Sequence, residues 1–138
     1  MTEKLLTVLI PSFNSYQGVV NIVELLKTRK NIAIIVGDDS TNVDVACLIE
    51  SYISGLDRSS FIYCKHESTG NPVDNWNYLL SKVKSKFFVL VHHDEAFSNT
   101  FFIDALEKYQ DSMEIMVLPI KVEHSNGIYR NVKSRTQS

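Results

Sequence analysis

The chain has 138 residues, 44% hydrophobic and 22% charged, which is the composition of one ordinary soluble domain able to bury a core. A net charge of −2 with no long basic run gives no electrostatic reason to expect a nucleic-acid partner. No apolar stretch approaches the roughly 20 residues that cross a bilayer.

The opening MTEKLLTVLIPSFN predicts a first strand over 5–11 instead of a secretory leader, because the apolar run contains Thr7, stops at Pro11 and meets no small-residue cleavage site. SFNS then offers N-caps for a helix over 16–28 that sets Val19, Ile22, Val23 and Leu26 on one stripe. The β-branched run 32–37 is a second strand. After DDSTN, a second helix spaces Val45, Leu48, Ile49, Tyr52 and Ile53 helically. FIYCK (61–65) is a third strand, and the polar loop HESTGNP follows. Pro72 suits the first turn of a third helix, where a missing N–H costs nothing, and Val73, Trp76, Leu80 and Val83 are predicted to turn inward. FFVLV (87–91) is a fourth strand, and a fourth helix carries Phe102, Ala105, Leu106 and Tyr109. Residues 113–122 make a fifth strand, Asn126-Gly127 signals a hairpin, and the polar tail 131–138 is expected to fray. Cys47 and Cys64 fall on apolar faces without metal-type spacing, which predicts buried, reduced thiols and a cytosolic protein.

Strands and helices alternate with short links, and the strands are continuously apolar. Both features predict an α/β fold on a mostly parallel sheet with helices on both faces, ending in a hairpin, as a single domain over 1–138. Ligands in such sheets bind outside the carboxyl ends of the strands. Three polar clusters fall there: PSFN (11–14), GDDST (37–41) and HHDE (92–95). Like charges on one edge repel, and a divalent ion would relieve that repulsion.

These stretches, TVLIPSFN, IAIIVGDDSTN and NPVDNWNYLLSKVKSKFFVLVHHDEAF, resemble in order and spacing the nucleotide-binding half of a family 2 glycosyltransferase with the GT-A, Rossmann-like fold. The likeness spans roughly residues 5 to 105. It implies that Pro11, Phe13 and Asn14 form a nucleotide-binding motif, with Phe13 stacking on the base. An acidic residue after the second strand would accept the base N–H. Because this sequence lacks the glycine of the usual DDGST, both Asp38 and Asp39 remain candidates, with Asp39 preferred and the other expected to cap the second helix. HHDE stands where the family has its Asp-x-Asp metal motif. Asp94 then maps to the last ligand, with His92 and Glu95 in reach of the same Mn²⁺ or Mg²⁺ ion. His92 is equally a candidate for the nucleotide, while His93 is expected to turn to the other side. Trp76 reads as a core anchor, and Asn75, off that stripe, is a candidate contact to the sugar nucleotide. His66 and His124 have no identifiable partner.

The resemblance implies inverting transfer from a nucleotide-diphosphate sugar, a UDP-sugar first with guanine left open as the base, to a saccharide or lipid-linked acceptor, in cell-surface polysaccharide synthesis at the inner face of the membrane. A general base would lie in an acceptor-binding half, yet Asp104, Glu107, Asp111, Glu114 and Glu123 match no motif. The expectation is therefore a truncated donor-binding half, whose open apolar edge could pair as a homodimer. Three rival readings stand beside it. A receiver-type signalling domain would need an aspartate ending the third strand, where CKHE has none, although Lys121 could serve as its lysine. A metal-dependent phosphoesterase would need more histidine ligands. A non-catalytic sugar-nucleotide-binding or scaffold domain shares the fold.

Overall fold

The computed structural model describes residues 4–93, 100–112, 120–123 and 129–132, in two compact units, 1–98 and 99–138. In the first unit four strands, β1 (Leu6–Ser12), β2 (Ile32–Asp38), β3 (Phe61–Lys65) and β4 (Phe87–Leu90), form an all-parallel sheet in the order β3-β2-β1-β4. Three helices connect them: α1 (Tyr16–Leu26), α2 (Val43–Ser54) and α3 (Pro72–Leu80). β1 is buried along its whole length and β2 nearly so, as strands covered on both faces must be, while the edge strands β3 and β4 are half-exposed.

The topology follows from crossover handedness. Right-handed connections from β1 to β2 and from β2 to β3 step in one direction and set α1 and α2 on one face. The return to β4, beyond β1, reverses the step and sets α3 on the other face. There Leu79 packs with Leu9 and Ile35, flanked by Cys64, Val83 and Leu90. On α1, Val19, Ile22, Val23 and Leu26 are all buried as their spacing predicts, each contributing on the order of 1.5–3 kcal/mol. The α1 and α2 surfaces meet through Tyr16 and Tyr52, whose rings are edge-on at 6.3 Å.

Several expectations need correction. On α3 the buried residues are Asn75 and Leu79, while Val73 and Leu80 are exposed and Trp76 is half-buried. The helix is rotated from the predicted phase because the Asn75 amide donates to the Gly37 carbonyl at the end of β2 (2.9 Å). On α2 only Ile49 and Ile53 are buried. Leu48 is exposed and so is Cys47, whose thiol is therefore not in the core. Neither Asp38 nor Asp39 caps α2: the Asn42 side chain does, accepting from the Asp44 and Val45 amides. Pro72 opens α3 as expected, behind the Asn71 cap.

In the second unit, α4 (Phe101–Tyr109) buries Ile103 and Leu106; of the stripe expected there, Leu106 is in place, Phe102 and Ala105 are half-buried and Tyr109 is exposed. A separate antiparallel pair, β5 (Ile120–Glu123) and β6 (Tyr129–Val132), flanks the predicted hairpin turn. Asn126-Gly127, His124, residues 113–119 and the tail 133–138 lie outside the described residues. No helix among the described residues is long and apolar enough to cross a membrane.

Candidate functional site

Because the chain runs leftward from β1 and then returns to its right, the crevice between the carboxyl ends of β1 and β4 is the topological switch point, where such sheets bind ligands. A hollow of about 290 Å³ opens there. Its walls come from the end of β1 (Pro11, Ser12, Phe13), the residue after β2 (Asp39), the segment leading into α3 (Ser68, Gly70, Asn71, Pro72), α3 itself (Asn75, Trp76) and the turn after β4 (His92, His93). The sequence clusters at the ends of strands one, two and four thus converge.

The loop after β1 is fixed by Asn14, which adopts a left-handed conformation (φ 49°) that asparagine tolerates well. Its amide donates to Thr41 Oγ1 (3.0 Å), its carbonyl oxygen accepts the Asn42 backbone N–H (2.9 Å), and its own N–H donates to Ser40 Oγ (2.9 Å). Asn14 is therefore a clasp between two loops and does not line the hollow. The clasp leaves Phe13 at the tip, 48% exposed, lining the hollow and not buried under the loop.

The two aspartates separate cleanly. Asp38 is fully buried on the far side. One oxygen accepts the N–H (2.9 Å) and hydroxyl of Ser40, and the other accepts the Tyr63 hydroxyl (2.6 Å). Burial, reinforced by that carboxylate, raises the Tyr63 phenol well above its ordinary range. Asp39 instead reaches the hollow, its N–H donating to the Ser12 carbonyl (2.9 Å). Its Oδ1 lies 2.5 Å from His66 Nδ1. Lys65 Nζ is spent on the turn's backbone, donating to the carbonyls of Asp38, Ser40 and His66 (3.3, 2.9 and 3.2 Å).

On the opposite wall Trp76 meets His92 edge-on at 5.2 Å. His93, expected to point elsewhere, lines the hollow beside it, and its carbonyl sits so close to Gly18 of α1 that any β-carbon there would collide. Two polar atoms of lining residues, Ser12 Oγ and Asn75 Oδ1, are buried with no hydrogen-bond partner among the described residues. Asn75 is held against the Gly37 carbonyl, so it is a wall residue with its amide already engaged. Asp94 and Glu95 lie outside the described residues, directly after His93. Carboxylate donors suit Mn²⁺ or Mg²⁺, and an imidazole among them favours Mn²⁺. Charge is also polarised across the sheet. Asp38, Asp39 and Glu67 end or follow strands at this rim, beside Lys65, whereas Lys4, Lys30, Arg58, Lys84 and Lys86, with Asp57, sit in the segments that enter strands at the other.

Sequence reasoning missed His66 and the 68–72 segment. A signal was there: HESTGNP leaves a parallel strand at the same rim as the other clusters.

The architecture is shared with solved structures. TarS of S. aureus superposes with a TM-score of 0.63 at 19% identity, over 78% of this chain and 20% of that one. Its 1–349 fragment in complex with UDP gives 0.63 over 78% and 32%, and in complex with UDP-GlcNAc 0.61 over 78% and 31%, both also at 19% identity. This chain thus spans a third or less of those structures. No curated protein gives a significant sequence match. The model of the family described as glycosyl transferase family 2 matches residues 7–137, nearly the whole chain, and the protein belongs to that family.

Proposed function

We propose that the chain binds a nucleoside-diphosphate sugar, with uracil as the base, and supplies the donor-binding part of an inverting glycosyltransferase. The observation that carries this reading is the convergence of Phe13, Asp39, Asn75, Trp76 and His92 on one hollow at the switch point. An exposed phenylalanine at a rigid loop tip offers a stacking platform, worth on the order of 1–3 kcal/mol per base. A carboxylate beside it accepts the imide N–H that uracil presents at N3, where cytosine presents an acceptor. At about 290 Å³ the hollow suits the nucleoside end of such a donor.

The diphosphate then runs toward His92, with Asp94 and Glu95 next in sequence. The rim is acidic, so a dianionic ligand gains little there without a counter-ion, which favours a divalent cation held by Asp94 and assisted by His92 or Glu95. Such an ion supplies Lewis-acid stabilisation of the charge that builds on the departing diphosphate. In the reaction the acceptor hydroxyl oxygen attacks the anomeric carbon as the bond to the diphosphate oxygen breaks, the electron pair leaves with the phosphate, and the hydroxyl proton passes to a general base of the acceptor-binding part. The acceptor, a saccharide or a lipid-linked glycan in cell-surface polysaccharide synthesis at the membrane's inner face, belongs to the activity of the whole protein. The similarity in architecture to TarS, crystallised with UDP and UDP-GlcNAc, agrees with the donor class.

Calorimetry with UDP, with and without Mn²⁺, tests this. The expected result is saturable binding that needs the ion and is lost in Asp94→Ala. Binding indifferent to Mn²⁺ and to that substitution would remove the metal from the proposal, and no binding at all would remove the donor.

A further inference from the structure

Asp39 is gripped from behind by His66. The His66 backbone N–H donates to the Asp38 carbonyl (2.8 Å), carrying the β2–β3 ladder one rung past the end of β3. That rung sets the imidazole beside the carboxylate, and its plane leans on the Tyr78 ring of α3 at 5.1 Å. Both side chains are largely out of water, at 17% and 10% exposure. An ionised carboxylate can only accept, so the hydrogen between Nδ1 and Oδ1 belongs to the imidazole. The second oxygen, Oδ2, takes no hydrogen bond from any described residue, and Asp39 lines the hollow.

We propose that His66 is a positioning residue for base recognition: its Nδ1–H holds Oδ1 of Asp39, fixes the carboxylate rotamer and commits Oδ2 to the imide N–H of a uracil-type base. This rests on the donor reading above. An untethered aspartate would lose rotamer entropy on binding and would rotate away into water in the free protein. Tethering it beforehand removes that cost and sharpens discrimination, because the oxygen that remains can be satisfied only by a donor in the hollow. The Tyr78 contact makes the tether itself rigid, so α3, which also carries Asn75 and Trp76, sets the angle of the base contact.

The test uses the 138-residue chain, Mn²⁺ and two ligands, UDP and its N3-methyl derivative, which lacks the imide hydrogen. Wild type, His66→Asn and His66→Phe are titrated by calorimetry. The asparagine amide places an N–H near the Nδ1 position, whereas phenylalanine keeps a ring on Tyr78 and removes the donor. Wild type should prefer UDP by about tenfold or more, the scale of one hydrogen bond to a charged group. His66→Phe should lose most of that preference and about tenfold in UDP affinity while binding the methylated ligand as wild type does, and His66→Asn should recover the preference. If His66→Phe does not fold, His66→Gln, whose longer amide misses the Nδ1 position, replaces it with the same expectations. An unchanged preference in the donor-less variant overturns the role of His66 alone, as does an equal loss for both ligands, which would mark His66 as merely structural. A wild-type chain that binds neither ligand overturns the donor reading and this role together.

Discussion

Gly37 is the point where the wall of the hollow meets the sheet, and Gly37→Ala should be one of the most damaging single-atom additions in the chain. A β-carbon there would lie 2.6 Å from Asn75 Oδ1 and 2.8 Å from both Cγ and Cδ2 of Leu79, against ordinary contacts of about 3.4–4 Å. Both neighbours belong to the buried face of α3, so relief requires moving the helix. Overpacking of this kind costs about 1–3 kcal/mol. If the shift also breaks the 2.9 Å bond from Asn75 to the Gly37 carbonyl, two buried polar groups lose their partner, adding about 1–3 kcal/mol. A total of about 3 kcal/mol would lower Tm by roughly 10 °C in a domain of this size. Urea unfolding of wild type, Gly37→Ala, Asn75→Ala and the double variant separates the contributions. Asn75→Ala deletes the oxygen clash and leaves the Leu79 clash, so Gly37→Ala should cost about 1 kcal/mol less in that background. A Gly37→Ala protein within about 0.5 kcal/mol of wild type, or a strictly additive cycle, would refute the described seating of α3.

Three further outcomes follow from the same contacts. Asn14→Ala should destabilise by about 2 kcal/mol in urea unfolding, from a left-handed backbone plus two lost side-chain bonds, whereas Asn14→Gly keeps the backbone and should cost about half as much. Gly18→Ala should cost about 1–3 kcal/mol in the same assay, because α1 must retreat from the His93 carbonyl that frames the hollow. The Tyr63 phenol is raised by burial and by Asp38, so the folded state keeps a proton that the unfolded state releases near pH 10. Stability from this group is complete below pH 10 and declines above it. Tyr63→Phe, less stable at pH 7 for want of the Asp38 bond, should show the shallower decline between pH 10 and 11.5 when Tm is followed against pH.

The sequence made α1 readable because its four apolar positions share one face and no polar group competes for that face. It misled on α3 because Trp76 dominates any hydrophobic stripe, yet a bare Gly37 and its carbonyl turn Asn75 inward and leave the indole for the hollow. The choice between Asp38 and Asp39 depends on a residue that is distant in sequence. Tyr63, on the neighbouring strand, claims Asp38, and strand alternation then sends Asp39 to the other side. His66 was legible in principle. The rule that ligands gather where parallel strands end applies to the third strand as it does to the first, second and fourth, and HESTGNP is that strand's exit. The metal assignment stands on sequence alone, since Asp94 and Glu95 lie outside the described residues.

Trp76 is the single tryptophan of the chain and lines the hollow against His92, so its fluorescence reports on that space and no other. Titrating UDP in the presence of Mn²⁺ should change the emission saturably, with the midpoint found by calorimetry, and Phe13→Ala and Asp39→Ala should each shift that midpoint by about tenfold or more. UDP binding that calorimetry detects while the indole signal stays flat, and that survives both substitutions, would mean that the nucleotide binds elsewhere and that the hollow at the switch point is not the donor site.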